Sequence, residues 1–374
     1  MIYPLDRLTI RGFKSIESLE SFELTSLNVL VGANGAGKSN FIEVFRLLRA
    51  MMGLPLPGLS NSSLRSYVAD GGGSDGFLFG GPKETQTIDV EMRFGENGYR
   101  FKLYPTMAEE LIVADEARLY TRGDSGWWEL GSGHSSPRLL NERQQKGVAG
   151  GRSVASYVYE SIASWAIYHF HDTSKFASMR RSETIHDVDY LRFDAANIAP
   201  FLLDLMTSNR AAYDNIVDTI RIVAPFFDDF VLRPNAGEKV RLLWTQKGSD
   251  YPLSPHHLSD GTLRFICLAA ALLQPNPPST IIVDEPELGL HPYAIGILAE
   301  LLQASSKRMQ VIVATQSPVL IDCLEPQNVV VVTRKNHSSE FQRLDPEELS
   351  FWIADYSLGD LWRKNIIAGG PEHE

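Results

Sequence analysis

Eight consecutive residues, Gly32-Ala33-Asn34-Gly35-Ala36-Gly37-Lys38-Ser39, keep the spacing G-x-x-x-x-G-K-[ST]. Residues of these types at this spacing can hold a chain of phosphates. The glycines let the backbone curl until its N–H groups point inward at the anion. A helix starting near Lys38 would add its positive end. Lys38 is expected to reach the outer two phosphates, and the Ser39 hydroxyl to serve as a Mg²⁺ ligand. The neighbouring Asn40 joins the nucleotide-binding candidates. An apolar strand before the loop and apolar helical spacing after it (Phe41, Ile42, Val44, Phe45, Leu47, Leu48) supply the setting the chemistry requires.

A second acidic feature lies far along the chain. Ile281-Ile282-Val283-Asp284-Glu285 reads as a buried strand ending in two carboxylates. Burying charge is expensive, so adjacent acids at a strand end ask for a reason. Asp284 is placed to hold Mg²⁺, directly or through water, and Glu285 to polarise an attacking water. Taken alone, such a run equally marks a strand leaving the core; the phosphate loop shifts the balance. Upstream, Leu258-Ser259-Asp260-Gly261-Thr262-Leu263-Arg264 opens an apolar helix, with Ser259 as the expected N-cap. Downstream, Ala314-Thr315-Gln316-Ser317-Pro318 follows another apolar strand.

The order of these segments resembles that of ABC-type ATPases, whose signature is L-S-x-G. The wording is similar to the RecF, SMC and OLD-type predicted ATPases of the AAA group. The residues that carry this are Asp284-Glu285-Pro286-Glu287-Leu288-Gly289-Leu290-His291-Pro292, the opening Ile10-Arg11-Gly12-Phe13-Lys14-Ser15, the central Asp194-Ala195-Ala196-Asn197-Ile198-Ala199 and the tail Tyr356-Ser357-Leu358-Gly359-Asp360-Leu361-Trp362. The resemblance implies ATP and Mg²⁺ as cofactors and Lys38, Glu285 and Gln316 as catalytic residues. It also implies a head-to-tail homodimer in which Ser259 and Gly261 of one subunit cover ATP bound to the other. Many relatives carry His where Gln316 stands. An amide can hydrogen-bond a phosphate but cannot carry a proton charge. An ATP-gated sensor or scaffold with negligible hydrolysis is therefore the alternative, and a transporter-energising subunit a more distant one. Tyr168-His169-Phe170-His171-Asp172-Thr173 is the expected counterpart of the metal-reporting loop. On a strand, His169 and His171 would share a face; with no third ligand nearby, a structural or switch role is the expected reading and a dedicated metal site the lesser one.

These motifs need elements to position them. Residues 5–35 read as strands, 53–82 as a loop, 86–130 as antiparallel hairpins, 131–153 as a polar glycine-rich connection, and 155–225 as helical with a break at Pro200. Strand alternation returns over 228–246. Helix 261–273, strand 280–284, helix 293–304, strand 310–314 and strand 328–333 then alternate, which predicts a largely parallel sheet flanked by helices. The fold expected is α/β: a P-loop NTPase of ABC-head type with an antiparallel β subdomain (84–130) and a helical insertion (155–225). Residues 1–52 form its N-terminal lobe and 253–374 its C-terminal lobe, all in one head.

Composition narrows the rest. The net charge is −11, so nucleic acid binding does not follow from charge. The densest basic stretch is Met179-Arg180-Arg181 with Lys175 and Arg192, a solvated helix face or a contact for nucleic acid or an acidic partner. Trp127-Trp128 reads as hairpin packing rather than base stacking. Cys267 and Cys323 read as small hydrophobes. No apolar run spans a membrane, and Met1 to Asp6 lacks a signal-peptide pattern, so the expected location is cytoplasmic. Sustained heptads are absent and about 40 residues follow the strand near 330, which leaves room for a head alone. A separate effector, a nuclease or toxin, in antiviral defence or DNA repair is the setting that the resemblance implies.

Overall fold

The computed structural model describes residues 4–56, 62–121, 126–143 and 153–367. It divides into two compact units, residues 1–165 with 325–356 and 361–374, and residues 166–324 with 357–360.

In the first unit, six antiparallel strands form a sheet in the order Ile16–Glu23, Arg7–Phe13, Ile88–Phe94, Asn97–Pro105, Leu111–Tyr120, Trp127–Gly131. Ile88–Phe94 buries every second residue, as its alternation predicts. Phe94 pairs with Asn97 across a two-residue turn, and Gly95 there takes φ +60°. The Trp127 ring lies 4.7 and 4.5 Å from the guanidinium groups of Arg93 and Arg100, so it packs within the hairpins as expected, whereas Trp128 is 53 % exposed. Asp124 and Ser125 beside it lie outside the described residues.

Leu27–Val31 is buried along its whole length and runs parallel to Val329–Lys335, which turns back through Asn336 and His337 into Ser338–Arg343. The phosphate-loop helix, Lys38–Met51, follows Leu27–Val31. Its apolar face buries Phe41, Phe45 and Leu48, and the Phe45 ring meets Trp165 edge-on at 5.0 Å. Arg49, at its end, donates to the carbonyls of Ala163 and Trp165 at 3.2 and 2.6 Å, which ties in the C-terminus of helix Val154–Ala163.

The second unit is built on two parallel strands, Thr280–Asp284 and Gln310–Thr315, paired Ile281 to Val311 through Asp284 to Ala314. Both read as continuous apolar runs because both of their faces are covered. Helix Asp260–Leu273 is buried from Leu263 to Leu272, and helices Ile198–Ser208, Arg210–Val223 and Pro292–Ser306 complete the layer. Cys267 sits here with its thiol pushed up to about 12 by burial, an inert core residue. The combination of parallel strands, an antiparallel sheet and flanking helices is the α/β arrangement expected from the sequence.

Three stretches differ from expectation. Within 53–82, Leu64–Asp70 is a helix, capped by Ser63 and held by buried Leu64, Tyr67 and Val68 at helical spacing. Residues 57–61 of that stretch lie outside the described residues. Within 131–153, Leu139–Glu142 forms one helical turn, and residues 144–152 likewise lie outside. The 155–225 stretch is helical only at its ends. Between them run strand Trp165–Tyr168 and then mostly irregular chain to Asn197, broken only by a 3-10 turn at Ser178–Arg180 and the two-residue strand Glu183–Thr184. There the Asn197 side chain accepts from Arg192 N and donates to Asp187 O and Tyr190 O, local bonds that compete with helix formation. Pro200 lies in the first turn of Ile198–Ser208, where its missing N–H is not needed, so it helps start the helix rather than break it.

Phe45→Ala removes a fully buried ring from the phosphate-loop helix. Urea denaturation should show a loss of ~3–5 kcal/mol; a loss under about 1 kcal/mol would mean the ring is not anchored on Trp165 as described.

Candidate nucleotide site

The phosphate loop is shaped by what its glycines cannot carry. A Cβ on Gly32 would lie 2.2 Å from Val332 O, and one on Gly37 would lie 2.1 Å from Ser339 Oγ. Gly35 and Gly37 also take φ +79° and +116°. Lys38 opens the helix and is 5 % exposed, with Nζ donating to the carbonyls of Gly32 at 2.7 Å and Ala33 at 3.0 Å. The lysine thus caps its own loop from within.

Under the loop runs a relay of polar side chains. Asn40 Nδ2 lies 2.7 Å from Ser15 Oγ, Ser15 Oγ 2.7 Å from Ser339 Oγ, and Ser339 Oγ 2.6 Å from Ala36 O. Each hydroxyl has one hydrogen, so the chain runs one way: amide to Ser15, Ser15 to Ser339, Ser339 to the loop carbonyl. The Ser339 amide also donates to Ser15 O at 2.7 Å. Asn40, grouped above with the nucleotide ligands, therefore has its side-chain amide turned onto the support of the loop. Ser15 belongs to the opening segment already singled out; Ser339 was missed, since nothing local marks a serine on a distant hairpin.

The acidic strand and the switch meet in the second unit. Asp284 ends its strand half-buried, and its carbonyl is 2.9 Å from His171 Nε2. Glu285 then takes φ +44°, unusual for a residue with a side chain, while its amide donates to Ala314 O at 2.8 Å. Its carboxylate Oε1 accepts from Gln316 Nε2 at 2.6 Å. Two of the three catalytic candidates are thus in direct contact. Glu287 Oε1 accepts from the Thr315 hydroxyl at 2.5 Å and from Gln316 N at 3.2 Å. Burial is the main cause that pushes the Glu287 carboxyl above its ordinary range; hydrogen bonds from Thr315 and Gln316 oppose it and Glu285 adds to it.

The signature residues sit at the start of Asp260–Leu273. Ser259 caps it, accepting from Thr262 N at 3.1 Å, as its position predicts. Gly261 lies against the backbone after the acidic strand: a Cβ there would be 2.3 Å from Gly289 O. One turn on, buried Arg264 donates to Phe170 O at 2.9 Å and His171 O at 3.1 Å. The helix is therefore tied to the Tyr168–Thr173 segment, and that segment to Asp284. The His169 and His171 ring centroids lie 4.1 Å apart with the planes tilted by 40°, beyond the end of strand Trp165–Tyr168, and among the described residues no group of three His, Cys, Asp or Glu is arranged to hold a metal. Ser39 falls in the first unit and Asp284 in the second.

The basic stretch is divided, with Lys175 and Arg181 exposed. Met179 and Arg180 are buried. Arg180 donates to Thr173 O at 3.0 Å and to Asp260 at 2.8 Å, and contacts Pro255 O. Arg192 pairs with Asp187 at 2.7 Å. Arg180 lies in a single 3-10 turn, Ser178–Arg180, and not on the solvated helix face read for this stretch; Arg180 and Arg192 are used within the unit. No helix among the described residues is long and apolar enough to cross a membrane.

The family model described as "AAA domain, putative AbiEii toxin, Type IV TA system" matches residues 27–322. No curated protein sequence matches. Among solved structures, an SMC head bound to the C-winged helix domain of ScpA is 18% identical with a TM-score of 0.55, over 93% of this chain and 99% of that one. The SMC head with an extended coiled coil, bound to the C-terminal domain of ScpA derived from Pyrococcus furiosus, is 17% identical with a TM-score of 0.53, over 95% and 99%. At these identities the likeness is one of fold, the P-loop NTPase fold of SMC heads.

Two stability measurements check this geometry. Ala for Gly in a helix normally stabilises by about 0.5–1 kcal/mol, but Gly261→Ala should cost about 1–3 kcal/mol because backbone must move; a stabilised variant would contradict the packing on Gly289. Glu287→Gln tests the raised carboxyl. A folded-state pKa above the unfolded one means that the charge costs nothing below the ordinary carboxylate range and costs more as pH rises through it. The nucleotide-free variant should melt above the parent at neutral pH and level with it in acid; the reverse order would refute the buried carboxylate.

Proposed function

The chain belongs to the AAA-domain family whose model matches residues 27–322, and from that membership and the geometry above we infer that it binds ATP with Mg²⁺ and hydrolyses it while two copies close around the nucleotide. It is an ATPase of the SMC-head and AAA type. In this reading the loop amides from Gly32 to Ser39 cradle the phosphates, and Lys38 exchanges the carbonyls of Gly32 and Ala33 for the β- and γ-phosphate oxygens. Ser39 and Asp284 offer only oxygen donors, which suits a hard cation. Mg²⁺ would neutralise charge building on the phosphate oxygens. Glu285 orients and polarises the attacking water. Gln316 holds the Glu285 carboxylate, and an amide can hydrogen-bond a γ-phosphate.

The observation that favours hydrolysis over binding alone is the strained Glu285. A left-handed backbone at a non-glycine residue costs energy, and here it delivers the carboxylate to the switch amide. Closure of two copies is supported by the surface beside the signature: Leu288 and Tyr293 are 47 % and 58 % exposed, next to the Gly261–Gly289 packing. Ser259 and Gly261 would then cover the partner's γ-phosphate. The family description names a toxin of a toxin–antitoxin system, and the structural neighbours carry a bound partner protein. Both support a head whose cycle drives a separate effector, a nuclease or toxin, in defence or repair. The second reading, a sensor that binds ATP and hardly turns it over, draws on the same contact, since Gln316 is neutral and already engages Glu285.

Glu285→Gln should reduce steady-state turnover by about 10²-fold or more and leave an ATP-bound dimer on size-exclusion chromatography. Parental turnover by this variant would remove Glu285 from the mechanism. A parent that binds ATP but does not hydrolyse it would establish the sensor.

A further inference from the structure

Thr315 is fully buried at the end of its strand, and its hydroxyl is used twice. It donates to Glu287 Oε1 at 2.5 Å and accepts from Ser317 N at 2.9 Å. The same carboxylate oxygen accepts from the backbone N of Gln316 at 3.2 Å, while the side chain of Gln316 reaches Glu285 Oε1 at 2.6 Å. One switch residue is therefore gripped at both ends by two carboxylates from one short turn. That turn is stiff: Pro286 at its centre is buried, Leu288 N donates to Glu285 O at 3.2 Å, and Leu290 N donates to Glu287 O at 2.9 Å.

We propose that Glu287 is a positioning residue for hydrolysis, which fixes the backbone of Thr315–Ser317 so that the Gln316 amide meets Glu285. The inference rests on the hydrolytic reading given above and adds a residue to it. Glu287 itself touches neither water nor phosphate in this scheme. It acts through Gln316, and its part is to define where the side chain of Gln316 begins.

Two features separate this role from ordinary packing. The second oxygen, Oε2, is buried without a hydrogen-bond partner among the described atoms, a cost that an apolar filler of the same shape would avoid. The bonds that Oε1 makes go to consecutive groups of the switch and not to the surrounding core. A carboxylate oxygen accepting from a hydroxyl and an amide at once fixes the direction of both donors, which a methyl group cannot do.

The test uses the full chain with Glu287→Ala, Glu287→Gln, Thr315→Val and the double variant Glu287→Ala/Thr315→Val. Steady-state ATPase, ATP binding by calorimetry and amide hydrogen exchange at residues 314–318 are measured on each. Glu287→Ala is expected to lower kcat about 10-fold with ATP affinity within about 3-fold, and to speed exchange at Gln316. Glu287→Gln keeps an acceptor oxygen and should recover most of kcat and of the exchange protection. The double variant should be little worse than Glu287→Ala, because both cut the same link. Parental kcat and exchange in Glu287→Ala would overturn the proposal. So would equal losses in Glu287→Ala and Glu287→Gln, or additive losses in the double variant. Glu285→Gln run alongside separates the two ideas: if it hydrolyses like the parent, the hydrolytic reading fails whatever Glu287 does. If no variant hydrolyses, exchange at Gln316 decides, with no change in Glu287→Ala counting against the positioning role.

Discussion

The phosphate loop has to run where no side chain fits. Gly32 presses on the Val332 carbonyl and Gly37 on the Ser339 hydroxyl, and a Cβ at either place would fall about 2 Å from the facing atom. That contact fixes the course of the loop that follows the buried strand and leads into the helix from Lys38. The seat proposed for a triphosphate would follow from that curvature. The loop is supported from below by the Asn40, Ser15 and Ser339 relay.

The second unit follows a different logic. Its parallel strands are rigid, apolar and closed on both faces, and the chemistry is confined to the turns at their ends. Asp284, Glu285 and Glu287 leave one strand within four residues; Thr315 and Gln316 leave its neighbour. Register alone sets these two turns side by side. The signature helix joins the same group through Gly261 on Gly289 and Arg264 on the carbonyls of Phe170 and His171. A change at the start of that helix has a continuous set of contacts by which to reach the carbonyl of Asp284.

Much of this could be read from the sequence, for a definite reason. The loop, the acidic strand end and the Ser259 cap are local patterns, in which residue type and spacing over fewer than ten positions specify the backbone. The strands over 86–130 and the helix and strand pairs after residue 260 declared themselves by period. What stayed hidden is long-range or irregular. Ser339 lies some 300 residues from Ser15 and Ala36, with no local mark of its use. Glu287 reads as one acid in a turn until Thr315 is seen to donate to it. The chain from His169 to Asn197 has helix-compatible composition, yet side-chain bonds from Asn197 and the buried Arg180 organise it without a helix. The sequence groups Arg180 with its exposed neighbours Lys175 and Arg181 because it gives charge without depth.

The central claim is that a nucleoside triphosphate seats on the amides between Gly32 and Ser39 with Lys38 on its outer phosphates. Isothermal titration calorimetry of Mg²⁺·ATP into the intact chain tests it most directly. The account predicts saturable binding that weakens by about 10²-fold or more in Lys38→Ala, the loss of a charge-assisted contact to two phosphates. Equal affinity in the two proteins, or no heat of binding in the parent, would contradict it.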